Sequence, residues 1–205
     1  MNNNKKQNTK QRIFEESMGL FSNKGFYAVS IRDIVKEVGI KESSFYNHYK
    51  SKDILLEDML HLISEEFKKT VPPIEMLDII IGSSTLEGFL TKGLQNYKEF
   101  IQKPYVEKIW RILQMEQYRN EQATQVILND IFYNMFNFLE EALTRFMEQK
   151  KMQAGDPALL AREYQYPMFS MVYEYNILRF SNLETTKLEG HMDYHVRLFS
   201  KRYSL

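Results

Sequence analysis

Residues 25–56, GFYAVSIRDIVKEVGIKESSFYNHYKSKDILL, constrain this 205-residue chain more than any other segment. They spell a short apolar helix, a glycine turn, and a second helix bearing Ser, Phe, Tyr, Asn and His. A Ser-Lys-Asp step then opens a third helix. That order is the pattern of a helix-turn-helix, in which the second helix enters a DNA groove while flanking groups grip phosphate. The expectation is a DNA-binding regulator.

The local signals are in register with one another. A first helix is expected over residues 9–24, with Ile13, Phe14, Ser17, Leu20 and Phe21 on one side. Gly25 suits its C-terminal stop, where a positive φ is needed. Ser30 stands at an N-cap with Asp33 three residues on, the spacing of a capping box. Ile31, Ile34, Val35 and Val38 give the next helix a buried face, Gly39 the sharp turn, and Ile40 a plug between the helices. A third helix is expected over 42–49, with Phe45 and Tyr49 inward. Lys41, Glu42, Ser43, Ser44, Tyr46, Asn47 and His48 then remain on the outer side. Hydroxyls and imidazole suit phosphate oxygens, and the Asn47 amide suits a base edge. Ser51 caps the following helix and puts Lys52 in its first turn, where amides, dipole and ammonium together favour phosphate.

These residues resemble the tetracycline-repressor (TetR) family, through Gly25-Phe26, Ser30, Gly39-Ile40, Phe45-Tyr46-Asn47-His48-Tyr49 and Ser51-Lys52-Asp53. The resemblance covers about a quarter of the chain. It implies an all-α fold: a three-helix DNA-binding head at residues 1–53, joined to a helical-bundle body for effector binding and dimerisation at 54–205. It further implies phosphate contacts from Tyr46, His48 and Lys52, and a backbone contact from Ser30. Two positions depart from the family pattern. Lys41 replaces a Ser/Thr cap, and Ser43 stands where Gly is common, and both lie among the base-reading positions the resemblance implies.

The formal net charge is zero, yet its distribution is uneven. Residues 1–55 hold ten Lys/Arg against six Asp/Glu, a net of +4 that the remainder offsets. The excess supports the placement of the DNA-binding function, although a charge run alone is usually a solvated face. There is no Cys, hence no disulfide or thiolate chemistry. The polar start MNNNKKQNTKQR lacks an apolar signal core, and no apolar run reaches the ~20 residues of a membrane span. A cytoplasmic protein is expected.

Beyond residue 52 the pattern is helical throughout. Helices are expected at 52–70 (ended by Pro72-Pro73), 74–81, 85–102, 104–118, 121–150, 157–181 and 186–203. Ser84 with Glu87, Pro104, and Asp156-Pro157 supply starts. The body is rich in Met and aromatic residues. Most such residues are plain core, but the family resemblance implies a pocket for a small-molecule effector. Its candidate lining is Trp110, Arg111, Met115, Glu116, Tyr118, Phe132, Met135, Phe136, Tyr166, Phe169 and Tyr173. A Glu116 or Glu174 buried among aromatics would favour a cationic ligand, and an inward Arg111 or Arg179 an anionic one. Residues 164–180 are apolar nearly all round, and the resemblance implies a homodimer through the last two helices. Pro167 is expected to kink or break that stretch.

His191 and His195 share a helical face, but two histidines without a third ligand read as a solvated or interfacial pair, so no metal or cofactor is expected. An enzyme would need a nucleophile with its base or a metal cluster, and no such motif is present. The rival readings are an architectural or partner-binding DNA protein without an effector, and a ligand-dependent activator.

Overall fold

The computed structural model describes residues 2–205, with side chains from Asn8 onward. The helices are α1 (Asn2–Lys24), α2 (Ile31–Val38), α3 (Glu42–Tyr46), α4 (Lys52–Lys68), α5 (Leu77–Gly82), α6 (Leu86–Ile101), α7 (Pro104–Glu116), α8 (Glu121–Gln125), α9 (Asn134–Glu148), α10 (Pro157–Phe180) and α11 (Thr186–Tyr203). A 3-10 turn, Ile74–Met76, precedes α5, and a π-helical segment, Val126–Tyr133, leads into α9. No strand occurs among the described residues. Two compact units result: Met1–Lys68 with Phe100–Asp130, and Lys69–Glu99 with Ile131–Leu205. The head shares its unit with α4, α7 and α8.

In the first unit, α1 begins earlier than its apolar stripe indicates, and buries Ile13, Ser17, Met18 and Phe21. Gly25 ends it at φ 82°, with its N–H on the Phe21 carbonyl at 2.9 Å. Ser30 caps α2 as a full capping box: its Oγ accepts the Asp33 N–H, and the Asp33 carboxylate accepts the Ser30 N–H at 2.8 Å. Ile34, Val35 and Val38 are buried, whereas Ile31 is only half-buried. Gly39 takes φ 72°, and Ile40 N–H returns to the Val35 carbonyl at 3.0 Å, closing a Schellman-type stop. Arg12 on α1 adds a side-chain bond to the Val38 carbonyl at 2.5 Å. Below the head, Leu55, Leu56, Met59, Leu60 and Ile63 of α4 and Val106, Ile109 and Ile112 of α7 complete the core.

The second unit is built from α5, α6, α9, α10 and α11. The start of α6 differs from the sequence expectation: Thr85, not Ser84, accepts the Gly88 N–H, at 3.1 Å. Two capping Ser/Thr residues stand side by side there, and only the backbone geometry selects between them. Asp156 caps α10 through the Ala158 and Leu159 N–H groups, with Pro157 at the first turn, as its sequence indicates. α10 runs from Pro157 to Phe180 with Pro167 inside it, so of the expected kink or break the helix shows no break. The expected single helix over 121–150 is interrupted by the looser π winding, a register change that apolar periodicity does not encode. Lys151 closes α5 by donating to the carbonyls of Ile81, Gly82 and Ser84 at 2.6, 2.7 and 3.1 Å.

The apolar residues of α10 are not all buried. Leu159, Tyr166, Tyr173 and Ile177 are exposed. Their spacing of seven, seven and four places them within one narrow stripe. Tyr194 and Leu198 on α11 are exposed at helical spacing too. His195 is held internally: its Nε2 lies 2.8 Å from the Tyr164 carbonyl and its ring stacks on Tyr164 at 5.2 Å. Among the described residues no group of three His, Asp or Glu side chains is placed to hold a metal ion. None of the helices is long and apolar enough to cross a membrane.

Candidate nucleic-acid interface

The recognition element is short. Its α-helix covers only Glu42–Tyr46, and Asn47 and His48 form a turn rather than the last helical residues. The turn is still anchored like a helix end, since the N–H groups of His48 and Tyr49 both reach the Phe45 carbonyl, at 2.9 and 3.0 Å. Phe45 and Tyr49 are fully buried beneath it, with ring centroids 6.0 Å apart. Burial, with Asp58 nearby, pushes the Tyr49 hydroxyl up to about 12, so it stays neutral in its apolar seat. That base turns the opposite side outward. Lys41, Glu42, Ser43, Tyr46 and Asn47 are exposed, while Ser44 and His48 are half-buried. Lys41 occupies the N-cap without a side-chain cap bond, as its chemistry dictates. Glu42 pairs with Arg32 of α2 at 3.2 Å. The surface therefore presents hydroxyl, amide and cationic groups on a small rigid wedge, a set suited to a DNA groove and its phosphates.

Two of the expected phosphate ligands are otherwise engaged. The Ser30 hydroxyl donates to Asp33 at 2.5 Å while accepting from it, so it serves the cap. The Lys52 ammonium turns inward, donating to the carbonyls of Phe26 and Val29, each at 2.7 Å, and lying 4.1 Å from the centroid of the Phe26 ring. Burial pulls its pKa below the ordinary lysine value. We expect Lys52→Met to lower the melting temperature, because two carbonyls lose a charge-assisted donor worth roughly 2 kcal/mol. The salt dependence of DNA binding is expected to be unchanged. A slope shallower by about one phosphate contact would instead place the ammonium on DNA.

The residues expected to line a pocket are divided between the two units. In the first unit Trp110 is buried, Arg111 is half-buried and Met115 is exposed. Tyr118 is 90% exposed and therefore lines no enclosed pocket in this structure. Glu116 is buried, but not among aromatics awaiting a cation: its Oε1 accepts the Phe26 N–H at 3.0 Å. Glu174 is exposed, so neither acid supports a cationic ligand. In the second unit Phe132, Phe136, Tyr166 and Phe169 do come together. Centroids are 4.4 Å apart for Phe132 and Phe169, 5.0 Å for Phe136 and Tyr166, and 5.6 Å for Phe136 and Phe169. Met135 is half-buried and Tyr173 exposed. An open cleft of about 330 Å³ lies elsewhere in this unit, lined by Glu87, Thr91, Leu94, Gln95, Lys98, Asp193 and Arg197. Its Lys98 already bridges Glu189 and Asp193, at 3.3 and 3.7 Å.

What the sequence reading missed is the set of long-range bonds that orient the head, from Arg12, Lys52 and Glu116. The one available signal was a Glu in the last turn of a helix whose neighbours Ile112 and Leu113 are apolar.

Residues 13–59 match the family model described as bacterial regulatory proteins, tetR family. The HTH-type transcriptional regulator YerO of Bacillus subtilis (strain 168) is 49% identical over 47 residues, which cover 23% of this chain and 16% of that protein. The match thus spans less than a fifth of that relative's length. Two solved structures extend the likeness in fold to nearly the whole chain. One is a putative TetR-family transcriptional regulator from Mesorhizobium loti MAFF303099 (TM-score 0.67, 18% identity, 98% of each chain). The other is the complex of SmeT with triclosan (TM-score 0.68, 15% identity, 96% of this chain and 92% of that one). SmeT is the repressor of a multidrug efflux pump of Stenotrophomonas maltophilia.

Proposed function

We propose, from the match of residues 13–59 to the family model of bacterial tetR-family regulatory proteins, that this chain is a homodimeric transcriptional repressor released from DNA by a small-molecule effector. The observation that carries the reading is the wedge itself: Lys41, Glu42, Ser43, Tyr46 and Asn47 turned outward over buried Phe45 and Tyr49, between a capped α2 and a capped α4. Ser43, Ser44, Tyr46 and His48 are assigned to phosphate, and Asn47 with Lys41 to base edges.

The exposed stripe of α10 and the exposed apolar residues of α11 support dimerisation through these two helices, since contiguous apolar surface of this kind marks an interface. A two-fold dimer carries two wedges, so its operator is a near-palindrome with half-sites about one helical turn, ~34 Å, apart. The aromatic cluster of Phe132, Phe136, Tyr166 and Phe169 favours an apolar, ring-containing effector, and SmeT with triclosan offers a parallel in the same fold. Such a ligand acts only to the extent that it binds one arrangement of the body more tightly than the other.

Selection of duplexes from a random pool by the purified protein tests the reading. Enrichment of a near-palindromic sequence is expected. Recovery of an unenriched pool would sink it and favour a DNA protein without sequence preference.

A further inference from the structure

The loop Gly25–Val29 joins α1 to α2, and α3 follows α2 after a single turn, so the direction of the recognition wedge is set at this loop. Three elements outside the loop hold its backbone or side chains. Lys52 of α4 donates to the Phe26 and Val29 carbonyls. The Tyr27 hydroxyl donates to the Arg119 carbonyl, between α7 and α8, at 3.2 Å. Glu116, the last residue of α7, accepts the Phe26 N–H at 3.0 Å across 90 residues of sequence.

The Glu116 contact differs from the other two in being buried. Glu116 is 3% exposed and Phe26 2%. A carboxylate there is opposed by desolvation and by the negative end of the helix dipole, and is attracted by the Lys52 ammonium, which also holds Phe26. Its Oε2 has no hydrogen-bond partner in the structure. An apolar side chain of the same length would fill the space without either cost, so packing does not account for the acid. What an apolar residue cannot do is accept the Phe26 N–H, a donor that would otherwise be buried and unpaired. The same Oε1 lies 3.7 Å from where a Cβ on Gly25 would sit, directly against the residue whose left-handed backbone ends α1.

We propose that Glu116 is a positioning residue of the DNA-binding head: its carboxylate, carried on the last turn of α7, fixes Phe26 and thereby the angle at which α2 and α3 leave α1. The inference rests on the reading of α3 as the DNA-facing element, and it deepens that reading by naming where control enters. The head and residues 100–130 belong to one compact unit, so the orientation of the wedge follows the position of α7. Whatever moves the end of α7 changes operator affinity, and operator binding in turn biases α7 by the same free energy.

Two variants separate hydrogen bond from charge. E116Q keeps an oxygen that accepts from Phe26 and removes the charge. E116D keeps the charge and withdraws the oxygen by one methylene. Fluorescence anisotropy would be read on the duplex selected by the wild-type protein and on a scrambled duplex, beside amide hydrogen exchange at Phe26 without DNA. E116Q is expected to bind the selected duplex within about threefold of wild type. E116D is expected to bind it at least about tenfold more weakly while keeping its affinity for the scrambled duplex, because general phosphate attraction is unaffected. Phe26 exchange should accelerate in E116D and not in E116Q.

Wild-type affinity in E116D with Phe26 still protected would overturn the proposal. So would an equal loss on both duplexes, or E116Q failing as badly as E116D. If E116D does not fold, exchange in the wild type decides: protection of Phe26 equal to that of the α7 core amides supports the proposal, and exchange at open-loop rates refutes it. A wild-type protein that selects no duplex defeats the DNA reading and with it the positioning role, while the exchange data still report whether the bond exists.

Discussion

Phe45→Ala is expected to abolish DNA binding by unfolding the head. Phe45 is fully buried, meets Tyr46 edge-on at 5.6 Å and Tyr49 at 6.0 Å, and is the base on which the recognition wedge rests. Truncating a buried phenylalanine costs roughly 3–5 kcal/mol through lost burial and the cavity left behind. That is a large fraction of the ~5–15 kcal/mol that holds a typical domain together. Melting followed by circular dichroism should show the first unit unfolding more than about 10 °C earlier than in wild type, since a unit of this size shifts several degrees per kcal/mol. A Tyr46→Phe control removes only an exposed hydroxyl and is expected to leave the melting curve unchanged. If Phe45→Ala melted within about 2 °C of wild type, the helix-turn-helix core as described would be wrong.

Tyr173→Asp is expected to convert the protein to a monomer. Tyr173 lies mid-stripe on α10, with Tyr166 and Ile177 on either side, and a two-fold interface brings each substitution in twice. A carboxylate buried without a partner costs several kcal/mol, enough to dissociate an interface built on apolar contact. Light scattering should then report 24.5 kDa, the mass of one chain, in place of twice that value. Affinity for the selected duplex should fall by at least about 100-fold, because a monomer places one wedge and neutralises about half as many phosphates. The melting temperature should fall and lose its dependence on protein concentration, since the partner subunit no longer stabilises the folded chain. A variant that kept the wild-type mass would move the interface elsewhere.

The parts of the fold that were legible in sequence are those fixed by neighbours a few residues apart. Ser30 with Asp33, Gly39 and Asp156-Pro157 each specify a cap within one turn, and each is found where its spacing puts it. Phe45 and Tyr49 were assignable to the interior because helical periodicity survives even where the helix itself stops at Tyr46. Other features depend on distant partners or on turns that periodicity does not encode. Lys52 has the position of a phosphate ligand, and in this structure its ammonium is engaged by the Phe26 and Val29 carbonyls, which the sequence does not reveal. Glu116 has the chemistry of a pocket acid, and in this structure its Oε1 accepts the Phe26 N–H from 90 residues away. Tyr118 carries the composition of a pocket wall and faces solvent, because three turn residues follow α7 before α8 begins. Aromatic content says that surface must be buried somewhere, but not on which side of a helix a pocket opens.

The account stands most directly on a titration of the wild-type protein by fluorescence anisotropy, on its selected duplex and on a scrambled duplex of equal length, from low to physiological salt. It predicts at least about 1,000-fold tighter binding to the selected duplex, with the logarithm of the binding constant falling linearly against the logarithm of salt for both. Equal, weak binding to the two duplexes, or none to either, would contradict it.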